Sequence, residues 1–305
     1  MRADDAAPMT VPGARSTWCD PRSGETEETT FLEVDGARII AFLHVPRGPV
    51  RAGVLLCGSL YEDLQVNYRR ELLLARELAG RGMATVRFHY RGTGNSDGLS
   101  SGPVTLRSLV EDARAAESWL RQRTGVADIA FYGAKLGALV CAALADGAGQ
   151  APTVLCAPAL SGADYFRAMS RAGRVARVRA QRATGGQTGD MGATGARDSF
   201  VEILGHKVYT ASLEDLRPRQ LELAPVKGRH VLMIQIAASE ALTKPYEALA
   251  ERLREGGAEL DVLRVQARQV WFLPDTWEPE DEKPELRALI TGISDWLETA
   301  TGRSA

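Results

Sequence analysis

The chain has 305 residues, of which 45% are hydrophobic and 25% charged, and its formal net charge is −2. That composition suits a globular protein with a sizeable core, built as one large α/β domain with an insertion or as two small domains. The near-neutral balance argues against nucleic acid or an anionic membrane as the main partner, and no apolar run approaches the roughly 18 residues of a membrane span.

The N-terminus is acidic early, broken by Pro and Gly, and lacks an apolar signal core, so residues 1–28 are expected to form a flexible tail and the protein to be cytoplasmic. TTFLEVDG and ARIIAFLHVPRG then predict two strands joined at the Asp35-Gly36 turn. AGVLLCGSL has the continuous apolar character of a strand buried on both faces. Helical spacing follows from Tyr68 to Arg81 and stops at Gly82; ATVRFHY is a strand, and RGTGNSDG is turn-rich. Next come an amphipathic helix from Leu106 to Arg123, the strand ADIAFYG, an apolar helix from Leu136 to Ala145 and the buried strand TVLCAPAL. Cys57, Cys141 and Cys156 fall in these apolar runs, far from one another and from Cys19, as buried free thiols do in a reducing compartment.

The strand–helix alternation breaks after Ser161. The stretch from Asp164 to Arg182 holds six arginines, with Arg167, Arg171 and Arg174 on one helical face, and a glycine-rich run (ATGGQTGDMGATG) follows. Alternation resumes with RHVLMIQIA, the helix Pro245–Glu255, the strand ELDVLRVQ and a last helix near Glu285–Thr299. Between them, DTWEPEDEKPE reads as an exposed acidic loop. Two antiparallel-looking strands followed by repeating strand–helix units predict a mostly parallel, doubly wound α/β sheet. The expected division is a core over residues 29–160 and 223–305, with residues 161–222 inserted after the sixth strand as a helical lid. That lid would lie over the carboxyl ends of the strands, where such sheets bind ligands.

In AFYGAKLGALVCAAL, the run Gly133-Ala134-Lys135-Leu136-Gly137 occupies a G-x-S-x-G pattern between a strand and a helix. Together with VLLCGSLYEDLQVNYRRELLLARELAGRGMATVRFHYRGTGNSDG and VLCAPALSGADYF, it resembles the serine-aminopeptidase-like and exosortase-associated hydrolases. The resemblance runs from about Leu32 to Leu297 and fades in the lid. It implies the α/β-hydrolase fold, with Lys135 where such hydrolases carry the nucleophilic serine. It also implies a backbone oxyanion hole from Gly58, Ser59, Leu60 and Leu136, and a small-molecule substrate.

The rest of the triad departs from the family order of serine, acid, histidine. At the acid position the chain offers Ser239 and Glu240. At the histidine position it reads Gln266-Ala267-Arg268-Gln269-Val270-Trp271, and no histidine occurs after His230. A serine triad in the usual chain order therefore cannot be built. His44, His89 and His230 read as structural, whereas His206, in the lid segment EILGHKVY, is a candidate to point into the pocket. The lid arginines read first as a solvated face; the alternative is that one or two of them, with Arg268, line the pocket and hold an anionic ligand, since the guanidinium fork matches a carboxylate or phosphate. Gln269 and Trp271 are expected to line the pocket.

A lysine at the elbow meets the positive end of a helix dipole and loses water by partial burial, and both favour its reactivity as an amine. Two function classes follow. One is an unconventional enzyme acting on a small carbonyl or acyl compound, with Lys135 as nucleophile or base and Glu240 and His206 as candidate catalytic partners. The other is a non-catalytic hydrolase scaffold that binds a ligand or a protein. No metal-ligand cluster appears, and the Gly92-x-Gly94 turn fails the dinucleotide pattern at Asp97, so no cofactor is expected.

Overall fold

A computed structural model describes residues 16–19, 24–97, 102–146, 149–184, 199–224, 226–267 and 284–302. Nine strands form one sheet. Its antiparallel edge comprises β1 (Ser16–Cys19), β2 (Thr26–Val34) and β3 (Ala37–Val45), and β3 pairs antiparallel with β5 (Met83–Phe88). The parallel part comprises β5, β4 (Ala52–Cys57), β6 (Ile129–Ala134), β7 (Thr153–Cys156), β10 (His230–Ala237) and β11 (Glu259–Gln266). The strand order is β1-β2-β3-β5-β4-β6-β7-β10-β11, so the chain crosses over at β4 and β5.

The central strands are buried on both faces because each is covered by helices on both sides. The alternation of side chains along β4 shows how. Val54 and Leu56 pack with Leu74, Ala75 and Leu78 of α1 (Tyr61–Gly80) and with Leu289, Ile293 and Leu297 of α7 (Pro284–Gly302). Leu55 and Cys57 point the other way. They join a core shared with α2 (Leu106–Thr124), α3 (Gly137–Ala145) and α6 (Lys244–Glu255). No helix among the described residues is long and apolar enough to cross a membrane.

The Asp35-Gly36 turn forms as expected, with φ of 49° and 75°. Three expectations need correction. Ser16–Cys19, placed by the sequence in the flexible tail, pairs antiparallel with Thr26–Thr29, and Trp18 lies under the Arg76 guanidinium at 5.6 Å. Cross-strand pairing and the aromatic contact hold a segment whose composition is unremarkable. The first helix begins at Tyr61, not Tyr68. Its start is polar, but Glu62 and Asp63 in the first turn suit the positive end of the helix dipole. The inserted segment begins after the seventh strand, β1 being the uncounted one. It contains α4 (Gly162–Thr184), a hairpin of β8 (Phe200–Ile203) and β9 (His206–Tyr209), and α5 (Thr210–Leu216).

A buried ion pair fixes the turn after β5. Asp112 is fully buried on α2 and accepts from Arg91 N, Nε and Nη2 at 2.8, 2.9 and 2.7 Å. Burial raises the proton affinity of Asp112, and the Arg91 hydrogen bonds oppose it. Removing one partner leaves the other buried charge uncompensated, which is far more damaging than the net worth of the pair suggests. Asp112→Ala is therefore expected to lower unfolding free energy by about 3 kcal/mol, measured by urea denaturation; a loss below about 1 kcal/mol contradicts this account.

Candidate active site

Lys135 sits on the sharp turn between β6 and α3, with φ of 52°. A side chain in this left-handed conformation costs about 1–2 kcal/mol, so its surroundings must hold it there. The Lys135 N–H donates to the Cys156 carbonyl at 3.2 Å, and the Lys135 carbonyl accepts from Ala138 and Ala159 at 3.2 and 3.0 Å. The flanking glycines are steric requirements. A Cβ on Gly133 would lie 2.7 Å from both Ala138 Cα and Cys141 Cβ. A Cβ on Gly137 would lie 2.1 Å from the Cys57 carbonyl oxygen and 2.2 Å from that of Gly58. The end of β4 therefore rests directly on the first residue of α3.

The loop that leaves β4 is Gly58-Ser59-Leu60. Ser59 and Leu60 are buried, and Leu60 caps α1 in extended conformation. Tyr165 of α4 reaches across to this loop: its hydroxyl donates to the Leu60 carbonyl at 2.8 Å and accepts from Ser59 Oγ at 3.5 Å. Leu136, buried at the start of α3, faces the same junction. Gly58, Ser59, Leu60 and Leu136 are thus gathered around the Lys135 turn.

Beside that turn is a cleft of about 350 Å³, whose walls include Glu62, Asp63, Lys135, Tyr165, Leu204 and Tyr246. Of the cleft-lining acids, Asp63 is the one whose proton affinity responds to the charge of Lys135. Burial raises the proton affinity of its carboxyl, while the charge of Lys135 and a hydrogen bond with Tyr165 lower it. Burial also pushes the Tyr165 hydroxyl well above its ordinary range. Lys135, Ala157 and Leu204 line the cleft and all have positive φ, as does Tyr61 beside it. Strained backbone of this kind gathers at functional sites, where packing over-determines it.

Residues 52–198 match the family model described as serine aminopeptidase, S33. Two uncharacterized proteins from strains of Mycobacterium tuberculosis are each 38% identical over 128 residues, or 41% of this chain and 42% of theirs. The chain thus spans about two fifths of the length of the curated relatives it matches. A Butyrivibrio proteoclasticus protein solved with ferulic acid bound superposes with a TM-score of 0.59 at 16% identity, over 90% of this chain and 99% of that one. An esterase of Pyrococcus furiosus gives 0.56 at 12% identity, over 93% and 95%. The chain has the α/β-hydrolase fold.

Within that fold the remaining expected residues are dispersed. Glu240 is exposed on the turn after β10 and is not among the residues lining the cleft; the acid beside Lys135 is Asp63, contributed by α1. His206 opens β9, where its Nε2 is 3.4 Å from Glu62 Oε2 and its ring meets Tyr61 edge-on at 5.9 Å. It reaches a cleft-lining carboxylate rather than Lys135. Arg268, Gln269 and Trp271 lie outside the described residues. Arg167, Arg171 and Arg174 are exposed, and Arg167 pairs with Asp164 at 2.9 Å, so these three arginines form a solvated face. Among the described residues the cleft carries the carboxylates of Glu62, Asp63 and Asp164 against one amine, which does not favour an anionic ligand.

The other histidines are occupied elsewhere. His44 is held down to about 3 by burial and then by Arg87 and Arg76, and its Nε2 accepts from Arg87 at 3.1 Å. His89 is held down to about 4 by burial and Arg87, and its Nδ1 accepts from the Asn95 N–H at 3.2 Å. His230 pairs with Glu259 at 3.2 Å at the beginning of β10. A larger hollow of about 580 Å³ lies at the opposite, N-terminal ends of β6 and β7, beside Asp128, Ile129 and Pro152. Parallel sheets bind ligands at their carboxyl ends, so the Lys135 cleft is the stronger candidate despite its smaller volume.

Gly137→Ala is expected to cost about 3 kcal/mol or more, because two backbone carbonyls must move to admit the methyl group. Gly48→Ala, where an added Cβ meets nothing within 4 Å, is expected to change stability by less than about 0.5 kcal/mol. Equal denaturation midpoints for the two variants would show that the contact between β4 and α3 is not tight.

Proposed function

We propose that this protein is an α/β-hydrolase-superfamily enzyme that has exchanged serine chemistry for lysine chemistry, acting on a small carbonyl or acyl compound. The observation that carries the reading is the position of Lys135: on the strained turn where this fold exposes its nucleophile, opening on the cleft, with Asp63 beside it. A hydrolytic cycle through a lysine acyl acceptor would stall at a stable amide. Imine chemistry with a carbonyl substrate does not have that defect.

The Asp63 carboxylate takes a proton from Lys135, for which its burial-raised proton affinity suits it. The amine then attacks the carbonyl carbon. A C–N bond forms, and the carbonyl π electrons move to oxygen. Backbone N–H groups of the Gly58–Leu60 loop and of Leu136 face that oxygen as an oxyanion hole. Protons from nitrogen and from Asp63 pass to the oxygen, water leaves, and a protonated imine remains beside the Asp63 carboxylate. Residues 161–222 are assigned the role of lid, since Tyr165, Met169 and Leu204 contribute to the cleft wall.

Borohydride reduction in the presence of small aldehydes and ketones, read by mass spectrometry, is expected to place an adduct on Lys135. Lys135→Ala is expected to abolish it, and Asp63→Asn to slow its formation about 10²-fold. An unlabelled Lys135 across the panel overturns the imine reading.

The second reading, a non-catalytic ligand binder, is favoured by the Lys135–Asp63 interaction, since two opposite charges satisfy one another at rest. It predicts ligand-induced thermal stabilisation that survives in Lys135→Ala. Lys135→Ser is expected to remain inactive on short-chain esters, because the chain carries no histidine after His230 to serve at the usual position of the base. Robust ester hydrolysis by that variant would reveal a base elsewhere.

A further inference from the structure

Glu71, on α1, is a fully buried carboxyl that the proposed chemistry does not use. A Cβ on Gly58 would lie 3.0 Å from its Oε2 and 3.2 Å from its Oε1. Oε1 has no hydrogen-bond partner among the described residues. Buried polar atoms are nearly always paired, so an orphaned carboxyl oxygen under a functional loop calls for an explanation. The contacts form a stack: the Glu71 carboxyl lies against Gly58, and the Gly58 carbonyl lies against Gly137, the residue that starts α3 after the Lys135 turn.

We infer that Glu71 is a positioning residue, whose carboxyl, through its contact with Gly58, sets where the Gly58–Leu60 loop lies over the Lys135 turn. The inference rests on the proposed role of that loop only for its chemical consequence. The surroundings make the contact sensitive to pH. Burial pushes the carboxyl up to about 7, against the pull of Arg87 from β5 and Arg70 from its own helix. The other titratable groups that interact with it are Cys57, Tyr90, Tyr132 and Cys156, and burial raises the proton affinity of all four, so they stay neutral near pH 7. Glu71 is therefore the member of this cluster that changes charge there. As a neutral acid it packs under the loop glycine at little electrostatic cost. Once ionised, it has an unpaired oxygen in a buried setting, which draws it toward Arg87 and Arg70 and away from Gly58.

The sign of the linked stability follows from the raised value. The native state holds the proton more tightly than the unfolded chain, so this contribution is complete below about pH 4.5 and is lost as pH rises through about 7. Glu71→Gln keeps the shape and cannot ionise. Its stability relative to wild type should therefore rise between pH 5 and 8.

The deciding measurement is amide hydrogen exchange of the peptide containing Gly58–Leu60, corrected for intrinsic exchange, at pH 6 and pH 8. In wild type the corrected rate is expected to rise about tenfold over that interval as the loop is released, and in Glu71→Gln to stay flat. A flat wild-type profile overturns the inference without reference to any variant, and so does an equal rise in Glu71→Gln. A merely structural role for Glu71 would shift protection equally at both pH values. Neither readout uses Lys135, so failure to trap an imine bears only on the proposed reaction. Where imine trapping succeeds, its rate should fall with the loop's protection in wild type and not in Glu71→Gln.

Discussion

The contact between the end of β4 and the start of α3 is the constraint on which the site depends. Carbonyl oxygens of Cys57 and Gly58 stand where a side chain on residue 137 would begin. Only a glycine permits the approach, and the approach is what brings the Gly58–Leu60 loop alongside the Lys135 turn. Lys135, in left-handed conformation, and the buried Leu136 immediately precede this contact in the chain. The strain in the turn is held by its hydrogen bonds to Cys156, Ala138 and Ala159, which come from the adjacent strand and helix and from the segment after β7.

Around that junction the electrostatics are arranged by burial more than by ion pairing. Asp63, Glu71, Tyr165 and the core thiols are all shifted toward their neutral forms by loss of water. Lys135 opposes that shift at Asp63, and Arg87 and Arg70 oppose it at Glu71. The two carboxyls thus play different parts although both belong to α1. Asp63 opens on the cleft beside Lys135. Glu71 lies two turns further along, beneath the loop and out of reach of any ligand.

Much of the scaffold was legible in the chain. Continuous apolar runs marked the strands buried on both faces, and the G-x-x-x-G spacing in its strand–turn–helix setting located Lys135. The count of histidines argued against a serine triad in the usual order. The acid partner was missed for a physical reason. The first seven residues of α1, YEDLQVN, hold only Leu64 and Val66 as aliphatic residues, too few to mark an apolar face, so helical spacing was legible only from Tyr68. Glu240 was chosen from the chain order of a serine triad, and the structure leaves it exposed on the turn after β10. The pairing of Ser16–Cys19 was hidden because four residues carry too little pattern to reveal a strand.

The sequence by itself determined the order of the core strands and helices from β2 onward, the glycines of the elbow and the presence of a lysine on it. These are local properties: side-chain periodicity and the steric demand of a tight turn. The tertiary structure decided which groups share the cleft with that lysine, because Asp63, Tyr165 and Leu204 come from separate elements joined only by packing. It also decided that His206 serves Glu62, that Glu240 faces solvent, and that Glu71 lies under Gly58. Proton affinities at such positions depend on how much water is excluded and which charges remain nearby, and neither is written in the neighbouring sequence.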